Sequence, residues 1–333
     1  MGIILIHMKS FLEWEMSLSE KIEDVNRRLH ESIYTEEEAL LGMAKYTLEA
    51  GGKRFRPLLT IISYRIASGK DYHDILDLAA GYELIHTASL IHDDIIDKSD
   101  LRRGRKTLHV KEGLENAIVV GDYLFAKAYE LGSRYGAVVS KIMADASSRL
   151  AEGQILEAKN LGNLNLTEET YLRIISRKTA FFFAACAEGA AVAANCNAIL
   201  RKSLTDFAFN LGMAFQVTDD ILDIVGSEEK MGKPVLVDIK HSAITLPIIY
   251  ALKNSDGNKR LTLEKSLKGL EHEEDFDLKT YFLETGSIDY SFKMARNYIA
   301  RAVDALKNTG TSPDIDLLME LALIVIERIE ELA

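Results

Sequence analysis

The sequence predicts an all-α protein. Three observations carry that reading. Apolar residues recur at helical spacing along almost the whole chain, alternating apolar–polar runs are scarce, and only four prolines interrupt 333 residues. Leu40, Met43, Ala44 and Leu48 show the period early in the chain, and Leu318, Leu321, Val325 and Ile329 show it late. Helices are expected to end where glycine and small polar residues collect: at Gly51-Gly52, Arg102-Arg103-Gly104, Gly162-Asn163, Gly226-Ser227, Asn254-Ser255-Asp256-Gly257 and Asn308-Thr309-Gly310. No low-complexity linker or charged tail separates these segments. The expectation is therefore one domain over residues 1–333, a bundle of roughly ten or more helices whose core members are apolar most of the way round.

Bulk composition narrows the function. Hydrophobic residues make up 47% of the chain, enough for a large core. A net charge of −11 disfavours a nucleic-acid surface. Cys186 and Cys196 lie in an Ala-rich helical stretch, without disulfide-framework or metal-ligand spacing, and read as small core residues of a cytoplasmic protein. No apolar run reaches transmembrane length, which leaves at most transient membrane contact. The run Gly2-Ile3-Ile4-Leu5-Ile6 is too short for a signal sequence, and no basic residue precedes it. Met8 offers a second start, with residues 1–8 as an extension.

Two acidic clusters dominate the chemistry, His92-Asp93-Asp94-Ile95-Ile96-Asp97 and Asp219-Asp220-Ile221-Leu222-Asp223. Each is Asp-Asp-x-x-Asp, so its first and third carboxylates lie about 40° apart on one helical face, with the middle one at its edge. One such cluster alone reads as a solvated face. Two, each preceded by apolar sequence (Leu90-Ile91 and Phe215-Gln216-Val217), do not. Carboxylates on the apolar side of a helix resist burial and repel one another, so a cation is required. Hard oxygen ligands that leave room for water and phosphate suit Mg²⁺.

Basic groups complement the acids. Gly51-Gly52-Lys53-Arg54-Phe55-Arg56-Pro57 sits at a helix break, where glycines allow close backbone approach and arginine forks grip phosphate. Arg102-Arg103-Gly104-Arg105 follows the first acidic helix, and Lys178-Thr179-Ala180 opens an apolar segment. Gln216 stands three residues before Asp219, and His86 seven before Asp93, on the same helical face. Any one of these reads as a surface charge or a core histidine. Together they describe a site for two diphosphates, one held through metal and one held directly by Arg and Lys.

With these residues in view, the chain resembles the trans-isoprenyl diphosphate synthases. The likeness runs from Gly51-Gly52-Lys53-Arg54-x-Arg56-Pro57 through Glu83-Leu84-Ile85-His86-Thr87 to the second acidic cluster and beyond. It implies the all-α isoprenoid synthase bundle with a central active-site cavity, a homodimer, and Mg²⁺-dependent condensation of an allylic diphosphate with isopentenyl diphosphate. It further implies that Asp93, Asp94, Asp97, Asp219 and Asp223 ligate magnesium and that Arg102, Lys178 and Lys233 contact the allylic diphosphate. Lys53, Arg56, His86 and Arg103 would bind isopentenyl diphosphate, and Thr179 and Gln216 would present oxygens near the allylic cation. No side-chain base stands out, and the released diphosphate is the implied proton acceptor.

One departure stands out. Met231-Gly232-Lys233-Pro234 and Asp238 match the family, but His241-Ser242-Ala243 replaces its Glu-Gly-Lys before Thr245, with Lys240 as the nearest substitute. A terpene cyclase would lack the Gly-Gly-Lys-Arg-x-Arg-Pro turn and carry a differently spaced second motif. A non-catalytic regulatory subunit would be expected to lose an acidic cluster.

Product length is read down the first acidic helix, away from the metal. Ala88 and Ser89, roughly 6 to 7.5 Å below Asp93, are small and give no stop. Ile85 comes next, and Tyr82 lies about 16 Å down. Tyr82, or Phe125 within Gly121-Asp122-Tyr123-Leu124-Phe125-Ala126, is the expected floor. The expected product has about six to eight isoprene units (C30–C40), with geranylgeranyl diphosphate as the alternative.

Overall fold

The computed structural model of the chain describes residue 16 and residues 18–227, 236–268 and 277–332, with side chains as far as residue 329. Lys233 and the 1–8 extension lie outside the described residues. The architecture is all-α, with sixteen α-helical segments and one two-residue-per-strand hairpin among the described residues. By its internal contacts the chain divides into two compact units.

The first unit draws on residues 1–147, 183–208 and 306–321. It contains α1 (Ser19–Ser32), α2 (Glu38–Leu48), α3 (Phe55–Ser68) and α4 (Leu76–Ile96). The hairpin β1 (Leu101–Arg102) and β2 (Arg105–Lys106) follows, then α5 (Leu108–Glu112) and α6 (Leu114–Ser133). Helix α4 is its centre. Leu78, Ala79, Tyr82, Leu84, Ile85 and Ala88 are all fully buried, and α4 packs chiefly against α6, then against α3 and α1. Small residues let these helices approach. Tyr82 donates to Ala185 O at 2.6 Å, and a Cβ on Gly189 would lie 2.3 Å from the Tyr82 hydroxyl.

The hairpin was not visible in the helical pattern. Arg102 pairs with Arg105, and the two residues between, Arg103 and Gly104, have φ of +52° and +74°. That left-handed pair is what a two-residue type I′ turn requires, so Gly104 is used for its backbone freedom.

The second unit draws on residues 148–182, 209–305 and 322–333. Helices α7 (Ala137–Ala158), α9 (Phe181–Ala193), α10 (Ala198–Val225) and α16 (Pro313–Leu332) contribute residues to both units. The second alone holds α8 (Glu168–Ile175), the short α11 (Val237–Lys240), and α12 to α15 (Leu246–Asn254, Gly257–Leu267, Leu278–Glu284, Ser287–Ala305). Thr167 caps α8 with its hydroxyl on the Thr170 amide, and Asp277 caps α14 through the Lys279 and Thr280 amides. Between α8 and α9, Ser176–Ala180 form a single π-helical turn. The sequence breaks at Gly51-Gly52, Gly162-Asn163, Gly226-Ser227 and Asn308–Gly310 all fall between helices.

Two glycine substitutions should separate packing from propensity. Gly189→Ala should cost about 1–3 kcal/mol, because its methyl group has no room beside Tyr82. Gly42→Ala, in the exposed middle of α2 with nothing within 4 Å of the new Cβ, should gain about 0.5–1 kcal/mol. Urea midpoints of the two variants would check both signs.

Candidate active site

The basic turn is held by a buried ion pair. Arg54, at the N-cap of α3, has φ +51°, a left-handed conformation that costs a non-glycine residue about 1 kcal/mol or more. Its guanidinium donates to Glu83 Oε1 at 2.7 Å and to Asn26 Oδ1 at 2.8 Å, and both members of the ion pair are only 5% exposed. Removing either partner would leave an unpaired buried charge. Arg54 therefore holds the turn, while Lys53 projects outward and Arg56 lies half-buried with its guanidinium 5.0 Å from the Phe183 ring. Arg103 donates to Gly51 O, and its guanidinium lies where a side chain on Gly52 (φ +150°) would have to go, 2.9 Å from the would-be Cβ.

A groove opens beside this turn, lined by Gly51, His86, Thr87, Leu90, Arg102 and Arg103 among others. It brings together three of the expected diphosphate contacts, His86, Arg102 and Arg103. Lys53 and Arg56 do not line it. Burial, reinforced by Arg56, Arg103, Arg102 and Arg54, holds the His86 imidazole well below its usual pKa, so at neutral pH it offers a neutral N–H rather than a charge.

The first acidic cluster closes α4. Asp93 is half-buried, Asp94 is buried, and Asp97 is the exposed C-cap. Both Nε and Nη2 of Arg102 reach Asp94 Oδ1 at 2.7 Å. Burial raises the Asp94 pKa against the pull of that arginine. His92 packs over Gly121 and lies 5.9 Å, ring to ring, from Phe125.

That contact bears on product length. Ile85, Tyr82 and Ala88 are fully buried on α4, and Ser89 donates its hydroxyl to His86 O. Phe125 sits half-buried on α6 with its ring near that of His92, and Tyr82 lies fully buried about 15 Å from His92 along α4.

In the second unit each carboxylate of the second cluster has its own donor. Asp219 Oδ1 accepts from Arg328 Nη2 at 3.0 Å. Asp220, buried, accepts from the Tyr171 hydroxyl at 2.6 Å and from Gln216 Nε2 at 2.9 Å. Asp223, also buried, accepts from the Val237 and Asp238 amides at 3.1 and 3.0 Å and so starts α11. Thr179 donates to Gln216 Oε1 at 2.9 Å. Lys178 is paired with Glu157, and both sit with Tyr171, Gln216, Asp220 and Ala243 around one cavity. The π turn carries Lys178 and Thr179, and Gly153 makes room for it, since a Cβ there would meet Lys178 Cγ at 2.8 Å. Ala243 lines this cavity, whereas Lys240 is exposed and does not.

Sequence reasoning missed Arg54, Glu83, Glu157, Tyr171 and Arg328 as partners. Only Arg328 left a trace, as a lone cation on the otherwise apolar face of α16 that carries Leu321, Val325 and Ile329. Among the described residues no three acidic, histidine or cysteine side chains converge as a closed metal cage. The donors suit an ion that takes one or two carboxylates from the protein and completes its shell with water and phosphate, as Mg²⁺ does.

Burial pushes the Asp220 carboxyl from 3.8 up to about 7, with Asp219 and Glu157 adding to the rise. The folded chain then holds a proton that the unfolded chain has already lost. Stability should therefore fall as pH climbs from about 4 to about 7 and level off above. Asp220→Asn should flatten that fall, a difference that denaturant midpoints across this pH range would reveal.

Comparison with known proteins identifies the family. Residues 37–284 match the polyprenyl synthetase family. The octaprenyl diphosphate synthase of Haemophilus influenzae is 30% identical over 309 residues, covering 92% of this chain and 94% of that one. A short chain isoprenyl diphosphate synthase of Methanocaldococcus jannaschii is 38% identical over 265 residues, 77% of this chain and 80% of its own. Among solved structures, the Caulobacter crescentus polyprenyl synthase complexed with calcium and isoprenyl diphosphate superposes with a TM-score of 0.89 at 34% identity, covering 96% of this chain and 98% of that one. The match spans nearly the whole chain and agrees with the fold, and on that ground the chain belongs to the polyprenyl synthetase family of trans-prenyltransferases.

Proposed function

We propose that the protein is a magnesium-dependent synthase that joins an allylic diphosphate to isopentenyl diphosphate and extends the product to about six to eight isoprene units. The observation that carries this reading is the pair of acidic clusters on apolar helices, each with an arginine on one of its aspartates, Arg102 on Asp94 and Arg328 on Asp219. Sites that already balance carboxylate against cation are suited to admit a metal diphosphate.

In this reading Asp93, Asp94, Asp97, Asp219 and Asp223 hold magnesium. Bound there, the ion would neutralise the leaving diphosphate ahead of ionisation. Arg102, Lys178 and Lys233 add donors to the same oxygens as the allylic C–O bond lengthens. Lys178 must exchange or share its contact with Glu157 to do so. Thr179 and Gln216 place neutral dipoles near the allylic cation and bring no nucleophile. Lys53, Arg56, Arg103 and the neutral N–H of His86 orient isopentenyl diphosphate, whose terminal alkene carbon forms the new bond to the allylic carbon. The proton then lost goes to the released diphosphate. Small buried residues at Ala88 and Ser89 let the chain grow along α4 toward Tyr82, and geranylgeranyl diphosphate is the shorter alternative.

A homodimer fits the exposed apolar residues Val110, Leu114, Ile118 and Val119 at the α5–α6 end of the first unit. The two cysteines are free, which supports a cytoplasmic setting. Among the described residues no helix is long and apolar enough to cross a membrane. A regulatory-subunit reading rests only on Ala243. Incorporation of labelled isopentenyl diphosphate by the purified chain alone separates the two.

That incorporation should vanish with chelator and return with Mg²⁺. Asp93→Ala and Asp219→Ala should each lower turnover by about two orders of magnitude or more. Activity unchanged in chelator would end the magnesium reading.

Chromatography of the products should show a C30–C40 wild-type product, sharply shortened by Ala88→Phe and lengthened by Tyr82→Ala. A wild-type product that stops at fifteen carbons, about three isoprene units, would refute the argument from small residues.

A further inference from the structure

Four side chains in the second unit form one continuous hydrogen-bonded chain. Tyr171 donates its hydroxyl to Asp220 Oδ2, Gln216 donates Nε2 to Asp220 Oδ1, and Thr179 donates its hydroxyl to Gln216 Oε1. Tyr171, Asp220 and Thr179 are buried, and Tyr171, Gln216 and Asp220 line the cavity that also receives Lys178.

The direction of this chain follows from its members. Gln216 turns its NH₂ toward Asp220 Oδ1 and its oxygen toward the Thr179 hydroxyl. Thr179 then gives its single hydrogen to Gln216, and its remaining lone pairs are all it can offer to a neighbour. With the amide reversed, Gln216 would donate to Thr179, and the Thr179 hydrogen would swing away. That would set a positive dipole end where a cation is expected to develop.

We propose that Tyr171 and Asp220 are positioning residues for the prenyl transfer, which lock the Gln216 amide in one orientation and so make Thr179 an electron-rich dipole for the allylic cation. The proposal rests on the placement of Thr179 and Gln216 near the reacting carbon given under Proposed function. Tyr171 and Asp220 act through Gln216 and need touch no substrate.

A double-mutant cycle with a spectroscopic control tests it. Thr179→Val should lower kcat with little change in either KM. Tyr171→Phe should lower kcat about tenfold in the wild-type background and less than about twofold in the Thr179→Val background, since its target is then gone. The chain has only two glutamines, Gln154 and Gln216, so selective ¹⁵N-glutamine labelling yields two side-chain amide signals. The Gln216 signal should show slow hydrogen exchange in the wild type and lose that protection in Tyr171→Phe, while Gln154 is unchanged. Asp220→Asn reads the same two quantities should Tyr171→Phe not fold. A normal kcat in Thr179→Val would overturn the placement of Thr179 and the proposal with it. A reduced kcat in Thr179→Val, with the Tyr171→Phe effect absent or fully additive to it, would leave that placement standing and overturn the positioning role alone. A Gln216 signal untouched by either variant would do the same.

Discussion

Asp94, Asp220 and Asp223 are almost fully removed from solvent, beside buried apolar residues such as Ile91, Ile221 and Leu222. Taking a carboxylate out of water costs several kcal/mol unless donors replace the lost hydration. The structure meets that demand one carboxylate at a time, with a different donor for each. Arg102 serves Asp94, a tyrosine and an amide serve Asp220, and two backbone N–H groups serve Asp223. In the second cluster the repulsion expected among the three carboxylates is relieved by turning the side chains toward separate partners. A metal ion entering either cluster would compete with protein donors already in place.

The same economy of contact governs the backbone around these groups. Arg54 holds a left-handed conformation because Glu83 and Asn26 secure its guanidinium, and the turn it anchors displays Lys53. Gly52 yields its side-chain volume to Arg103, Gly153 yields its own to the π turn bearing Lys178, and Gly189 makes room for Tyr82. In each case a large side chain takes up space that an alanine methyl would occupy. These glycines act through close packing as much as through backbone freedom.

The helical class and most helix ends were legible in the sequence because amphipathic period and breaker residues act locally. The acidic clusters and basic turns were legible because charge inside apolar sequence demands an explanation wherever the chain runs. From these alone came the family resemblance and, as proposals, the metal and diphosphate chemistry and the residues assigned to it. The partner of each charge was not legible. Glu157 lies 21 residues from Lys178, Tyr171 lies 49 from Asp220, and Arg328 lies 109 from Asp219. Nothing in local spacing links them, and only packing of distant helices brings them into reach. The contact of Phe125 with His92, the exposure of Lys240 and the direction of the Gln216 amide were decided in the same way. Sequence determined which groups must be balanced, because desolvation is a property of each residue and its neighbours. Tertiary structure decided what balances them, because hydrogen bonds and ion pairs act only across a few ångströms of space.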